Sequence, residues 1–161
     1  ARVPVLIAGG RAIYESAAIL LYLCETHPEA GLMPAPGEAD RGAFLQWLFW
    51  LTNTLQAMLI HYFYPERMAS DAAEVKARAE AQVAPMLDQL ETELARHGAP
   101  WFLGQHYTAV DPLVFMLCRW TRHFDHPARG YPGIEPFLKH MLAQPCVDRV
   151  MRQQALPQPW V

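Results

Sequence analysis

Glu15-Ser16, directly ahead of the apolar run 17–24, is the pair whose types and spacing point most clearly to chemistry. A serine that opens a helix brings a hydroxyl beside backbone N–H groups at the positive end of the helix dipole, a setting suited to a carboxylate or a phosphate. The acid before it offers a carboxylate to an ammonium group. Together they match both charged ends of an α-amino acid. The plain alternative is a serine cap beside a surface acid, since serine caps are commonplace. A second cluster, His123-Phe-Asp-His126, sets two histidines three residues apart around an acid. That is the start of a metal site, but no third ligand is signalled nearby, and histidines at the negative end of a helix are the simpler account. No metal is expected. The cysteines Cys24, Cys118 and Cys146 are odd in number and form no C-x-x-C pair, which argues against a disulfide framework or a zinc knuckle and for a reducing compartment. Cys24, in the middle of an apolar run, reads as inert core.

The elements that must position these groups follow from periodicity. Two short apolar runs joined by Gly9-Gly10 over residues 3–14 predict a β-hairpin, because glycine reaches the positive φ of a tight turn. Pro4 falls at the start of the first run, where a missing N–H does not break the ladder. Ser16 is the expected N-cap of a helix over 17–27 that Pro28 closes. A Gly- and Pro-rich stretch, 29–38, reads as a linker. Beyond it Phe44, Leu48, Leu51, Leu55, Leu59 and Tyr62 recur at spacings of three and four, predicting one long helix over 40–64 ended by Pro65. Asp71 caps the next helix, which runs to Gly98 and should bend at Pro85. Helices over 113–124, 134–143 and 147–154 complete the chain. The N-terminal hairpin and helix leave a two-stranded sheet that is marginal in water without further cover.

Composition bounds the classes. The chain has 161 residues, 52% apolar and 18% charged, with a net charge of −3, enough for a packed core and the wrong sign for a nucleic-acid footprint. The longest uninterrupted apolar stretch, 17–24, is far short of the roughly 20 residues that span a bilayer. No signal-peptide pattern opens the chain. A soluble, cytoplasmic protein with no nucleic-acid or membrane partner is the expectation.

The string Arg2-Val-Pro-Val-Leu, the hairpin, and then Tyr14-Glu-Ser-Ala-Ala-Ile-Leu-Leu-Tyr-Leu resembles the glutathione transferase family. The resemblance implies a mostly α fold: a partial thioredoxin-like α/β N-terminal piece (1–28), a linker (29–39), and an all-helical glutathione transferase C-terminal domain (40–161). It makes Pro4 a cis proline and Val3 the residue whose backbone pairs with the cysteinyl part of glutathione. It makes Glu15 and Ser16 the clamp for the γ-glutamyl end. Thr108-Ala-Val-Asp111 is similar to the family's S/T-x-x-D capping box, a structural device in which Asp111 answers the Thr108 N–H and whose loss costs about 1 kcal/mol or more. Trp101-Phe-Leu-Gly104 and Pro145-Cys-Val-Asp-Arg-Val resemble the loop before that box and the last helix. In the family the long helix after the linker and the core helix wall the pocket for an electrophile, and the long helix also serves a dimer interface. Asn53, Gln56, Trp120 and Phe124 are the residues expected in that pocket, with core packing as the alternative for the aromatics. Gln56 falls near the position where cysteine-dependent bacterial members often carry a histidine, which speaks against that class.

One departure concerns catalysis. The family's thiol-activating Tyr, Ser or Cys lies on or just after the first strand, and this sequence begins at the third. The intervening β-α-β unit needs roughly 30 residues or more, so an incomplete sequence or a truncated product is expected, and no residue here takes that role by motif. The resulting expectation is a glutathione transferase-like homodimeric enzyme that conjugates or reduces hydrophobic electrophiles with glutathione as cosubstrate. The alternatives are a non-catalytic binding or assembly module of the same fold and an unrelated helical ligand-binding domain. The last of these predicts a trans Val3–Pro4 bond and no pocket at Ser16.

Overall fold

The computed structural model describes residues 3–98, 100–158 and 160–161. Arg2, which opens the resembling string, lies outside them. Strands β1 (Val5–Ala8) and β2 (Arg11–Tyr14) pair antiparallel, Val5 opposite Tyr14 and Ala8 opposite Arg11. Gly9 and Gly10 both adopt positive φ, 55° and 75°, as a two-residue turn of the right twist requires. Leu6 and Ile13 pair on the half-buried face. Val5, Ile7 and Tyr14 lie on the other and are exposed.

Helix α1 (Ser16–Thr26) follows at once. The expected start is shifted by one residue: Ser16 is the first helical residue and Glu15 holds the cap position, at φ 74° and ψ 120°, with no side-chain cap bond. An acyclic L residue rarely takes that φ, because its Cβ crowds the backbone. His27 ends the helix, and Pro28 opens a single 3-10 turn (Pro28–Ala30) that leads into the expected linker. Leu32 is tied back to the helical part through the Ala109 N–H, which donates to its carbonyl at 2.8 Å.

The long apolar period after the linker forms a continuous helical run in three parts. These are α2 (Arg41–Trp50), a π-helical turn (Leu51–Leu55) and α3 (Gln56–Phe63). Phe44, Leu48, Leu51, Leu55 and Leu59 are all fully buried, so the run keeps one apolar face inward across the π turn. After Tyr64 comes a 3-10 turn, Pro65–Arg67. Asp71 then caps α4 (Ala72–His97), its carboxylate accepting from Glu74 N at 3.0 Å, and Gly98 stops it in the left-handed conformation. The helix continues through Pro85, which sits on its exposed side. Val83, Leu87 and Leu90 are fully buried, and α3 packs against α4.

The core helix α5 runs over Val110–Trp120, earlier at both ends than the expected 113–124. Thr121 ends it. Its buried hydroxyl donates to Cys118 O at 2.7 Å and accepts from Ala128 N at 2.8 Å, folding the chain back over the helix end. His123 and His126 therefore sit in exposed turns rather than on a helix. Helices α6 (Ile134–Leu142) and α7 (Pro145–Gln153) close the bundle. Glu91 on α4 fastens the start of α6, accepting from Gly133 N at 2.7 Å and Ile134 N at 2.9 Å. The fold is mostly α, with the small sheet at its N-terminal edge.

Candidate functional site

The start of α1 sets the site. The first intrahelical bond there runs from Ile19 N to Glu15 O at 3.0 Å. The N–H groups ahead of it have no intrahelical acceptor, which is true of any α-helix start, and the helix dipole adds positive potential at that end. No acidic side chain lies in the first turn of α1 to cancel it. The half-buried Ser16 side chain stands beside these donors, and Glu15 precedes them on an exposed, positive-φ backbone. The Val3–Pro4 peptide is cis.

These residues line one open cavity of about 600 Å³ between the hairpin–α1 junction and the α2–α3 run. That size falls in the range of small-molecule sites. Val3, Pro4, Glu15 and Ser16 form one wall. Asn53 and Gln56 stand on the other, so the structure brings six of the expected residues to a single space. Helical spacing explains the second wall: Thr52, Asn53, Gln56, Ala57 and Ile60 fall at offsets that share one side of a helix turned away from the buried leucines. Thr52, within the π turn, donates to Leu48 O at 3.0 Å, which orients its side chain.

Trp120 and Phe124, expected on a pocket wall, do not line this cavity. Phe124 is buried with its ring 4.4 Å from that of Tyr62, and Trp120 meets Phe63 edge to face at 5.6 Å. Both are packing residues where α5 and the turns after it meet α3. The lining residues that sequence reasoning missed include Tyr14, Thr52, Tyr64 and Arg67. Tyr64 and Arg67 had a usable signal, because they flank Pro65, the residue that ends the long helix.

The Thr108–Asp111 box lies apart from the cavity and holds α5 in place. Asp111 is fully buried and accepts from Thr108 N at 2.7 Å, Thr108 Oγ1 at 3.0 Å and Phe102 N at 2.8 Å. Burial pushes its carboxyl up from the usual carboxylate range, and these hydrogen bonds oppose that. Burial likewise raises the Cys24 thiol and takes the Cys118 thiol up to about 12, so neither is a ready thiolate. Cys146 is exposed. Among the described residues no group of three or more His, Cys, Asp or Glu side chains is placed to hold a metal ion. Nor is any described helix long and apolar enough to cross a membrane.

Comparison with known proteins agrees with this geometry. The family described as "Glutathione S-transferase, C-terminal domain" matches residues 53–153, and "Glutathione S-transferase, N-terminal domain" matches residues 1–31. The chain is 24% identical over 156 residues to glutathione S-transferase GstA of Escherichia coli O157:H7, covering 96% of this chain and 75% of that protein. Among solved structures it is similar to a sphingomonad glutathione S-transferase complexed with glutathione. There the identity is 26%, 97% of this chain and 75% of that one are covered, and the TM-score is 0.83. A glutathione transferase homolog from sulfitobacter with bound glutathione aligns with a TM-score of 0.85 at 25% identity, covering 96% of this chain and 75% of that one. A family match over more than half of the sequence, joined to the cavity at the start of α1 and to solved relatives of the same fold, places the chain in the glutathione S-transferase family.

Proposed function

We propose that the cavity binds glutathione and that this chain is the working body of a glutathione transferase-like enzyme, joining the tripeptide's sulfur to an electrophilic small molecule. The supporting observation is the convergence of Val3, Pro4, Glu15 and Ser16 on one cavity faced by α2 and α3. The γ-glutamyl carboxylate meets the Ser16 hydroxyl and the open N–H groups of α1, and the Glu15 carboxylate takes the ammonium group. The Val3 main chain pairs with the cysteinyl unit, which points the sulfur across the cavity toward Asn53 and Gln56.

In conjugation the thiolate sulfur attacks an electrophilic carbon. A carbon–sulfur bond forms, the leaving group departs with the bonding electron pair, and the thiol proton passes to solvent. This chain's part is to hold the tripeptide in one orientation, so that attack at the electrophile becomes effectively intramolecular. Thiolate at neutral pH requires a lowered thiol pKa. No described residue is assigned to that role. Homodimeric assembly and a cytoplasmic setting belong to the same proposal and are supported by the family alone.

Ser16→Ala tests the clamp. Because Ser16 is the first helical residue and Glu15 holds the cap position, its loss leaves α1 intact while removing one donor from the carboxylate. Calorimetric titration of the chain with glutathione should show Kd raised roughly tenfold, about 1.4 kcal/mol. Unchanged affinity in that variant rejects the assignment.

A further inference from the structure

We infer that the α2–α3 side of this cavity selects a second substrate carrying a carboxylate, with Arg67 as the cation that reads it. The inference rests on the proposed function for the word "substrate", while the anion preference stands on geometry alone. Among the described residues lining the cavity, Arg67 is the only Lys or Arg. It makes no ion pair with another described residue. Its guanidinium carbon lies 3.9 Å from the centroid of the Tyr64 ring.

The chain order explains that stack. Tyr64 leaves the helical conformation at φ −131°, and Pro65–Arg67 makes one 3-10 turn closed by Arg67 N to Tyr64 O at 3.1 Å. In such a turn side chains three residues apart eclipse, so ring and guanidinium lie over one another. Stacking occupies the face of the guanidinium and leaves its N–H fork in the plane, the geometry that grips a carboxylate with two bonds. Ile60 and the Tyr64 ring supply apolar contact beside it, and Thr52, Asn53 and Gln56 make the rest of that wall polar. A wall so composed favours an anionic ligand over an uncharged hydrophobic one.

A carboxylate at Arg67 has two possible sources, the second substrate or the glycine end of glutathione itself, and the test separates them. The 161-residue chain is titrated with 4-nitrobenzoate and with its neutral isostere 4-nitrobenzamide, for wild type, Arg67→Gln and Arg67→Lys. Glutathione and γ-glutamylcysteine are titrated in parallel. Wild type should bind the benzoate about fivefold more tightly at low salt, with the ratio shrinking as salt is added. Arg67→Gln should bring the ratio to one, and Arg67→Lys should retain part of it. Arg67 is exposed, so both variants should keep the wild-type fold, checked by circular dichroism. Equal binding of benzoate and benzamide to wild type, or a preference that survives Arg67→Gln, overturns the inference. So does an Arg67→Gln variant that weakens glutathione and spares γ-glutamylcysteine while benzoate binding is unchanged, because Arg67 then serves the tripeptide. Failure of glutathione to bind, with the benzoate preference intact, removes the proposed function and leaves the anion site standing.

Discussion

Replacing Asp111 with alanine is the sharpest probe of how α5 is held. The carboxylate is fully buried and accepts three hydrogen bonds of 2.7 to 3.0 Å, two from backbone N–H groups and one from the Thr108 hydroxyl. Hydrogen bonds to a charged acceptor contribute about 1.5–3 kcal/mol each, and stranding buried donors adds to the loss. Removal of the buried charge returns part of its desolvation cost. The net expectation is about 3–5 kcal/mol for Asp111→Ala and about 2 kcal/mol for Asp111→Asn, which keeps one carbonyl acceptor. A cap alone predicts about 1 kcal/mol. The excess comes from Phe102, nine residues earlier, whose fully buried ring meets Trp47 of α2 edge to face at 4.9 Å. Against a total stability of roughly 5–15 kcal/mol the loss is large, and at about 2–4 °C per kcal/mol it lowers Tm by roughly 10 °C. Urea unfolding followed by tryptophan fluorescence reads it directly, with Thr108→Ala as the control that removes the hydroxyl alone. A loss below 1 kcal/mol for Asp111→Ala would show that the bond to Phe102 contributes nothing and that the box is only a local cap.

Two further outcomes follow from contacts away from the cavity. Glu91→Ala should cost about 2 kcal/mol in the same assay, because it strands Gly133 N and Ile134 N at the start of α6. Gly133→Ala should also destabilise, because an added Cβ would sit 3.0 Å from the Glu91 carboxylate and could be relieved only by disturbing the two hydrogen bonds that hold it, and an unchanged urea midpoint in both variants would dismiss this tie between α4 and α6. Tyr107, held up to about 12 chiefly by burial, keeps its proton in the folded chain after it would lose it in the unfolded one. Its contribution to stability is therefore present below pH 10 and falls away as pH rises from about 10 to about 12. Tyr107→Phe should flatten that alkaline limb in thermal melts, and an equally steep limb in the variant would contradict the assignment.

Local sequence determined much of this protein because the forces involved act over a few residues. The Gly9-Gly10 turn, the Asp71 cap, the stop at Gly98 and the Thr108–Asp111 contact each need only backbone geometry within one turn. The buried face of the long helix follows from the spacing of Phe44, Leu48, Leu51, Leu55 and Leu59, which survives the unforeseen π turn. Even Glu15-Ser16 was legible as an anion-friendly helix start, although the cap position itself falls on Glu15. Which face of one element meets which face of another was decided only in three dimensions. Trp120 and Phe124 carry the same apolar label as any pocket wall, yet Phe124 is buried against Tyr62 and the half-buried Trp120 packs on Phe63. Glu91 looks like any other surface acid of an amphipathic helix until α6 arrives 42 residues later. Tyr64 and Arg67 became part of the cavity because a proline-started turn stacked them beside a helix start some fifty residues earlier in the chain. Periodicity records how much of a helix is buried. The partner that buries it is set by long-range packing, which no short window of sequence contains.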